Sequence, residues 1–413
     1  MISRRSVIGG SAAAFAIIKP ELIRGQGKVL KAGLVGCGGR GSGAVRDMLS
    51  GTENVELVAM ADIFEDKLEG SLNRLRTDQR NASIASRVKV GPEHRFVGFD
   101  SFKKILASDI DIVMLCTPPG YRPEHMEAAV NAKKHIFAEK PFATDPTGVR
   151  RVIAAAKKAE QMKLTLMSGS QRRSAPEYKQ TLQKVRDGAI GDIVGAYSWY
   201  LSGPVMHAKA RDPKWGDMEW QHRNWYSFLW ICGDQIVEQH YHNIDCMNWF
   251  MGAHPERVVA TGGVAWRPKE ELYGNIFDHM SSDFVYPNGV RLSSVCRQYP
   301  QGTYRRVDDL IIGTKGRTNC RDLGAPGNVN SQVQEHTDMV KSIRGEGPYI
   351  NHGIPVAEST LTCIMARESA YSGQEVTWDM IMNSKQDLQP KAFDYKLSMQ
   401  APPVPRPGEY KFI

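Results

Sequence analysis

Glu139-Lys140-Pro141 follows the apolar run His135-Ile136-Phe137-Ala138, where the last core strand of a nucleotide-binding sheet should end. A lysine at such a strand end can reach both a nicotinamide ring and a substrate hydroxyl. A second polar cluster lies further along, from Asp234 to Asp245. If that stretch is helical, Glu238, His242 and Asp245 stand at i, i+4 and i+7, on one face. A histidine oriented by a carboxylate is a usable general base near neutral pH. Lys140, His242, Glu238 and Asp245 are therefore the catalytic candidates. Two other readings of the cluster stay open. One is a structural polar network. The other is a metal site built from Glu238, His240 and His242. The Glu-x-His-x-His spacing suits a strand, however, and no clear fourth ligand accompanies it, so no metal is expected.

A catalytic lysine needs a cofactor beside it, and the sequence upstream supplies a place for one. Val29 to Val35 reads as a buried strand running into Gly36-Cys37-Gly38-Gly39-Arg40-Gly41, with a helical stretch from Ser42 to Leu49. Gly-x-Gly-x-x-Gly between strand and helix is the dinucleotide fingerprint in its required context. The first glycine permits a tight turn, the second lets the backbone approach the pyrophosphate, and the third lets helix and strand pack closely. The helix N-terminus then faces the phosphates. The next strand, Val55 to Ala61, ends at Asp62, about 20 residues past the loop, where a ribose-binding carboxylate belongs. A carboxylate there repels a 2′-phosphate, so NAD is expected over NADP. Arg40, close in sequence, blurs that preference and keeps NADP open. Thr117-Pro118, at the end of the strand Asp111 to Cys116, and Glu139 and Lys140 complete the cofactor candidates.

Strands alternating with helices up to Leu164–Met167 imply a doubly wound parallel sheet, with Lys140 at its carboxyl, ligand-binding edge. His125 lies on one of these helices, where a histidine more often caps or packs than ligates. After Met167 the pattern changes. Ile193 to Tyr200, Val258 to Val264, Met280 to Tyr286, Val290 to Arg297 and Asp309 to Gly313 read as strands without intervening helices, and Tyr286-Pro287-Asn288-Gly289-Val290 as a hairpin turn. That implies a second, α+β domain with a large, mainly antiparallel open sheet. Between Trp199 and Trp230 lie five of the eight tryptophans, in what reads as a long loop. Such a cluster suits stacking on the C–H faces of sugars, or equally an aromatic core or oligomer interface. Gln171, Arg172, Trp225 and His240 are the substrate-side candidates. The expected organisation is an export segment at 1–27, a Rossmann domain at 28–170, a substrate and oligomerisation domain at 171–384, and an extended arm at 385–413 containing Pro402-Pro403-Val404-Pro405-Arg406-Pro407.

At 413 residues, two domains are the natural expectation. The net charge of +8 comes from scattered Lys and Arg with no basic block, which argues against nucleic acid as a partner. The seven cysteines are widely spaced, with no Cys-x-x-Cys pair, so buried free thiols are expected rather than a zinc ribbon or disulfide framework. Ser3-Arg4-Arg5 precedes a short apolar stretch from Val7 to Ile18, which reads as a twin-arginine export signal, too short to span a bilayer as an ordinary helix. No clean Ala-x-Ala site follows, so the segment either is removed or stays as an anchor. A periplasmic or otherwise exported protein is expected, with no membrane span in its mature form.

Taken together, the Gly36–Gly41 loop, Glu139-Lys140-Pro141 and Glu238-x-x-x-His242-x-x-Asp245 resemble the Gfo/Idh/MocA family of oxidoreductases over about residues 28 to 380. The stretch from Glu335-His336-Thr337-Asp338 through Tyr371-Ser372-Gly373 looks like that family's C-terminal helical region. The resemblance implies that Lys140 orients a substrate hydroxyl and helps hold the nicotinamide. It implies that His242 takes the hydroxyl proton as hydride leaves the same sugar carbon. It also implies a homo-oligomer, dimer or tetramer. Position 238 is usually Asp in the family and 240 a small residue, so Glu238 and His240 are departures. Export would leave little NAD to exchange, which suggests a tightly held cofactor. Three outcomes follow. The first is hydride transfer on a sugar, alone or coupled to reduction of a second sugar. The second is a redox-neutral glycoside hydrolysis through a transient ketone, with His240 as an extra acid–base group. The third is a non-catalytic sugar-binding protein that retains NAD.

Overall fold

The structure is a computed structural model that describes residues 27–77, 82–206 and 209–412. The paired-arginine stretch lies outside the described residues. Six parallel strands form the first sheet: β1 (Leu30–Val35), β2 (Val55–Asp62), β3 (Arg95–Val97), β4 (Ile112–Leu115), β5 (His135–Ala138) and β6 (Leu166–Ser168). Their order is β3-β2-β1-β4-β5-β6. The central strands read as continuous apolar runs because helices cover both faces. All four residues of β4 are buried, for example. The strand order reverses between β1 and β4, so a crevice opens at their carboxyl ends.

The longer helices of this half are α1 (Gly39–Gly51), α2 (Glu65–Arg76), α3 (Ser101–Ala107), α4 (Arg122–Asn131) and α5 (Pro146–Gln161). Helix α5 starts where Asp145 accepts a hydrogen bond from the Gly148 N–H at 2.7 Å and a proline occupies the first helical position, two start signals that reinforce each other.

The second sheet has seven strands: β7 (Ile193–Ser202), β8 (Arg257–Gly263), β9 (His279–Val285), β10 (Arg291–Gln298), β11 (Arg306–Gly313), β12 (Arg317–Thr318) and β13 (Val376–Thr377), in the order β12-β11-β7-β10-β9-β8-β13. Every pairing is antiparallel except β7 with β10. The β9–β10 hairpin closes through Gly289 at φ +78°, a left-handed turn position that suits glycine.

Helices α6 (Pro176–Arg186), α7 (Asp217–Arg223), α8 (Tyr241–Met251), α9 (Ser331–Arg344) and α10 (Gly353–Ser372) complete the larger elements. The stretch between Trp199 and Trp230 is not one long loop. It contains α7 and two shorter helical turns, since Gly216 and Asn224 bracket a helical run.

Two elements tie the halves together. Helix α10 is buried along most of its length because it is wedged between α5 and β8. Its Arg367 pairs with Glu368 at 2.7 Å and donates to the carbonyls of Thr144 and Gly233 at 2.6 and 3.0 Å. Helix α9, though late in the chain, packs on α1 of the first sheet. The first core is therefore completed by residues from the far end of the sequence. Six of the seven cysteines are buried, Cys116 is half-buried, and all are free thiols. Among the described residues no helix is long and apolar enough to cross a membrane.

Candidate active site

The glycine loop is shaped by what each position excludes. Gly36 has φ +96°, and a Cβ on it would lie 2.6 Å from the Cys116 backbone. A Cβ on Gly41 would meet the Gly36 carbonyl at 2.0 Å. Gly38 and Gly39, in contrast, face open space. That space is a cleft of about 310 Å³ lined by Gly36, Gly38–Gly41, Asp62, Thr117 and Pro118 on one side and by Trp225 and Tyr226 on the other. Helix α1 points its N-terminus into the cleft with no side-chain cap, leaving backbone donors for an anion.

Asp62 fixes the turn itself. Its Oδ2 accepts the Cys37 N–H at 2.6 Å and its Oδ1 the Phe64 N–H at 2.9 Å. Each oxygen keeps a lone pair for a ribose hydroxyl. The residues present thus fit a dinucleotide. Cys37 itself contributes backbone only, since its side chain is buried beneath the loop. Arg40 turns away from Asp62: its guanidinium lies 2.8 Å from Asp47 and 2.8 Å from Glu139. It therefore ties the loop to the Glu139-Lys140-Pro141 strand end and does not wait for a 2′-phosphate. The expectation that Arg40 blurs cofactor choice is not met by its position. Other cations, Lys67 and Arg223, do line the cleft.

Lys140 leaves the end of β5 and crosses to the second domain. Its ammonium donates to the Glu238 carbonyl at 2.5 Å and to Glu238 Oε1 at 3.1 Å. Two of its three N–H bonds are thus used, and one is left for a ligand. The Glu238 carboxyl is pushed up from its ordinary range by burial, against the pull of Lys140 and of the Gln239 amide that bonds its other oxygen.

The polar segment is helical, but not in the single register that the spacing suggests. A π-helical turn at Ile236–His240 precedes α8. The extra residue per turn changes the angular step before His242, so Glu238, His242 and Asp245 do not act as one row. Asp245 is a correction. It forms a bidentate pair with Arg173, at 2.7 and 2.9 Å, and does not orient His242. The His242 ring makes no hydrogen bond among the described residues. Burial, then the charges of Lys140 and Arg172, hold its imidazole well below the ordinary histidine value, so it is neutral and able to accept a proton.

Two of the substrate-side candidates move into the scaffold. His240 is fully buried, with Nε2 2.6 Å from Ser294 Oγ and Nδ1 unpartnered; burial lowers its pKa to about 3. Arg172 spends its guanidinium on Asp309 at 2.8 Å and the His242 carbonyl at 3.2 Å, because β11 presents a buried carboxylate that needs a partner. It therefore shapes the backbone at His242. Gln171 remains half-buried in the turn after β6, and Trp225 lines the cleft. His125 packs between Phe102 and Tyr121 beside the cleft, with its pKa lowered to about 3 by burial.

Residues that the sequence did not single out complete the site. Tyr226 faces the cleft beside Trp225, ring centroids 3.8 Å apart, and burial together with the nearby Glu238 raises its phenol. Its place in the tryptophan-rich stretch was the available signal. The tail supplies another group. Tyr395 donates to the carbonyl of Ile63, next to Asp62, and lies 4.6 Å from Phe99, while Phe393 lies 5.2 Å from Tyr121. A proline-rich tail carries no periodicity that would place these rings.

Comparisons with known proteins agree with this geometry. A profile of the oxidoreductase family, NAD-binding Rossmann fold, matches residues 30–167, and that of the GFO/IDH/MocA C-terminal domain matches residues 178–319. The chain is 25% identical to myo-inositol 2-dehydrogenase of Thermotoga maritima over 57% of its length and 59% of that protein's, so the match spans less than two thirds of that relative. It is 26% identical to inositol 2-dehydrogenase of Rhizobium meliloti, over 69% of this chain and 73% of that one. The fold matches a scyllo-inositol dehydrogenase from Lactobacillus casei, solved with bound NAD(H) and scyllo-inositol, with a TM-score of 0.64 at 20% identity, covering 85% of this chain and 99% of that one. With consecutive profiles of one family spanning most of both sheets, a nucleotide cleft at the strand reversal and Lys140 just past the end of β5, the chain belongs to the Gfo/Idh/MocA family of oxidoreductases and carries its NAD-binding Rossmann domain.

Proposed function

We propose that this protein is an NAD-dependent oxidoreductase acting on a hydroxyl-bearing carbon of a sugar or cyclitol. The observation that carries the reading is Lys140, just past the carboxyl end of β5 with one N–H left for a ligand, beside a neutral His242. A nicotinamide bound in the cleft supplies the hydride acceptor. Lys140 then orients the substrate hydroxyl through its remaining donor, and His242 receives the hydroxyl proton on its ring. Trp225 and Tyr226 offer apolar faces for the ring carbons. Asp62 favours NAD over NADP, since a 2′-phosphate would stand against its carboxylate.

A retained cofactor is the finer part of the proposal. The tail bridges both walls of the cleft. Tyr395 bonds the Ile63 carbonyl on one wall, and Met399 is held by Asp217 at 2.8 Å and Gln221 at 2.5 Å on the other. Such a strap fits export through Arg4-Arg5 and a cycle coupling oxidation of one polyol to reduction of another. Burial of His240 removes the extra imidazole that a glycosidase cycle would use, so the redox reading is preferred. The outward face of the second sheet, with Tyr197 and Val259 exposed, is the surface offered for self-association.

The test is to denature the purified protein and assay the supernatant for NAD, then to offer the intact protein myo-inositol, scyllo-inositol, aldoses and aryl glycosides. Oxidation of a polyol or aldose, with or without added NAD, is expected. Glycoside cleavage without net NADH, or sugar binding with no turnover, would overturn the reading.

A further inference from the structure

The Lys140–Glu238 pair does not stand alone. Glu238 Oε1 takes the lysine, and its Oε2 accepts from the Gln239 side-chain amide. The Gln239 Oε1 in turn accepts from the Tyr200 hydroxyl at 2.7 Å. Tyr200 sits on β7, and its hydroxyl anchors the carbonyl end of the Gln239 amide. An ionised carboxylate only accepts, so the amide turns its NH2 end to Glu238 and its oxygen to the Tyr200 hydroxyl, which donates. Without the Tyr200 hydroxyl the Gln239 carbonyl loses the donor that anchors it, and the amide's hold on the buried Glu238 carboxylate loosens. An amide does not pass protons readily, so this chain of bonds orients groups and is not a proton wire.

We infer that Tyr200 and Gln239 are positioning residues for Lys140: they hold the Glu238 carboxyl in place, so that the lysine keeps two donors on Glu238 and one on the substrate. The inference deepens the proposed reaction and rests on it for the role of Lys140. The other ionisable groups around Glu238 are Glu139, Arg122, Cys232 and Tyr226. Arg122 donates to the carbonyls of Leu115 and Pro141. Because burial already raises the Glu238 pKa, removing a donor to its charged form raises it further.

The experiment compares wild type, Tyr200→Phe, Gln239→Leu and the double variant. With NAD and myo-inositol or scyllo-inositol, each single variant should lose about tenfold in kcat, the effect typical of a lost supporting hydrogen bond, with KM little changed. The acid limb of kcat should move to higher pH, and the double variant should be no worse than Gln239→Leu. A change confined to KM would mean that Tyr200 touches substrate, and multiplicative losses would mean that the two act separately; either overturns the inference. A second arm needs no substrate. In urea unfolding across pH 5 to 9, the destabilisation by Tyr200→Phe should be full at high pH and fade as pH falls through the Glu238 pKa. A pH-independent loss would reduce Tyr200 to packing and overturn the inference. If wild type oxidises no polyol, the proposed reaction fails while the unfolding arm still decides whether Tyr200 and Gln239 hold the Glu238 carboxylate.

Discussion

At the scale of single residues, the two ionic partners of the polar segment do different work. Glu238 holds Lys140, the lysine of the proposed reaction, whereas Asp245 holds Arg173, and both pairs are buried. Lys140→Met should lower kcat/KM by about 100-fold or more in steady-state assays, since general acid–base and orienting groups typically contribute that much, and should also lower the melting temperature, because it strands the buried Glu238 carboxyl. Asp245→Ala should cost stability alone. It strands Arg173 in the interior and should cost about 3 kcal/mol in denaturant unfolding, with kcat of the folded fraction largely kept. The pH dependence follows from His242. Its imidazole is held well below the ordinary value, so the neutral, proton-accepting form is present at neutral pH and is lost only in acid. A kcat profile should accordingly show no limb near the ordinary histidine value that disappears in His242→Asn; such a limb would place His242 in a more solvated setting than its burial indicates.

At the scale of elements, the β1–α1 turn separates folding from binding position by position. Gly36 and Gly41 are needed by the fold: one sits at positive φ against the Cys116 backbone, and the other touches the Gly36 carbonyl. Gly38 has ordinary φ and open space in front of it. Gly38→Val should melt close to wild type yet bind NAD at least tenfold more weakly by fluorescence titration, because its side chain fills the space the pyrophosphate needs. Gly36→Ala should lower the melting temperature of the apoprotein as well, since its backbone conformation is strained for any side chain. The π turn at Ile236–His240 belongs to this scale too. Lys140 reaches the Glu238 carbonyl within that turn.

At the scale of the whole molecule, the chain's last segment closes what its first sheet opens. Residues 385–412 are rooted on α10 through Tyr410, which bonds Glu368 and Gln386 at 2.8 Å each, and cross to the nucleotide wall at Tyr395. Removing residues 385–413 should speed NAD release measured after dilution or by displacement, and the gentler pair Phe393→Ala and Tyr395→Phe should do so without unfolding the protein. Unchanged release from both would leave the arm as surface cover only.

Several features were legible in the residues alone. The glycine loop between an apolar strand and a helix, the β5 end at Glu139-Lys140-Pro141 and the β9–β10 turn depend on local backbone chemistry, and each lies where its spacing places it. Long-range pairing was not legible. Asp245 and Arg173 are far apart in sequence, as are Arg172 and Asp309, and no periodicity announces that a carboxylate on one element will claim an arginine on another. The return of α9 to α1, the burial of His240 against Ser294 and the reach of Tyr395 to Ile63 share that cause. The sequence by itself determined the dinucleotide domain and the strand end that offers Lys140, because short-range sterics and hydrophobic runs specify them. Only the tertiary structure decided which carboxylate serves the lysine and which serves the scaffold, because buried charges are partnered by whichever opposite charge the packing brings within reach.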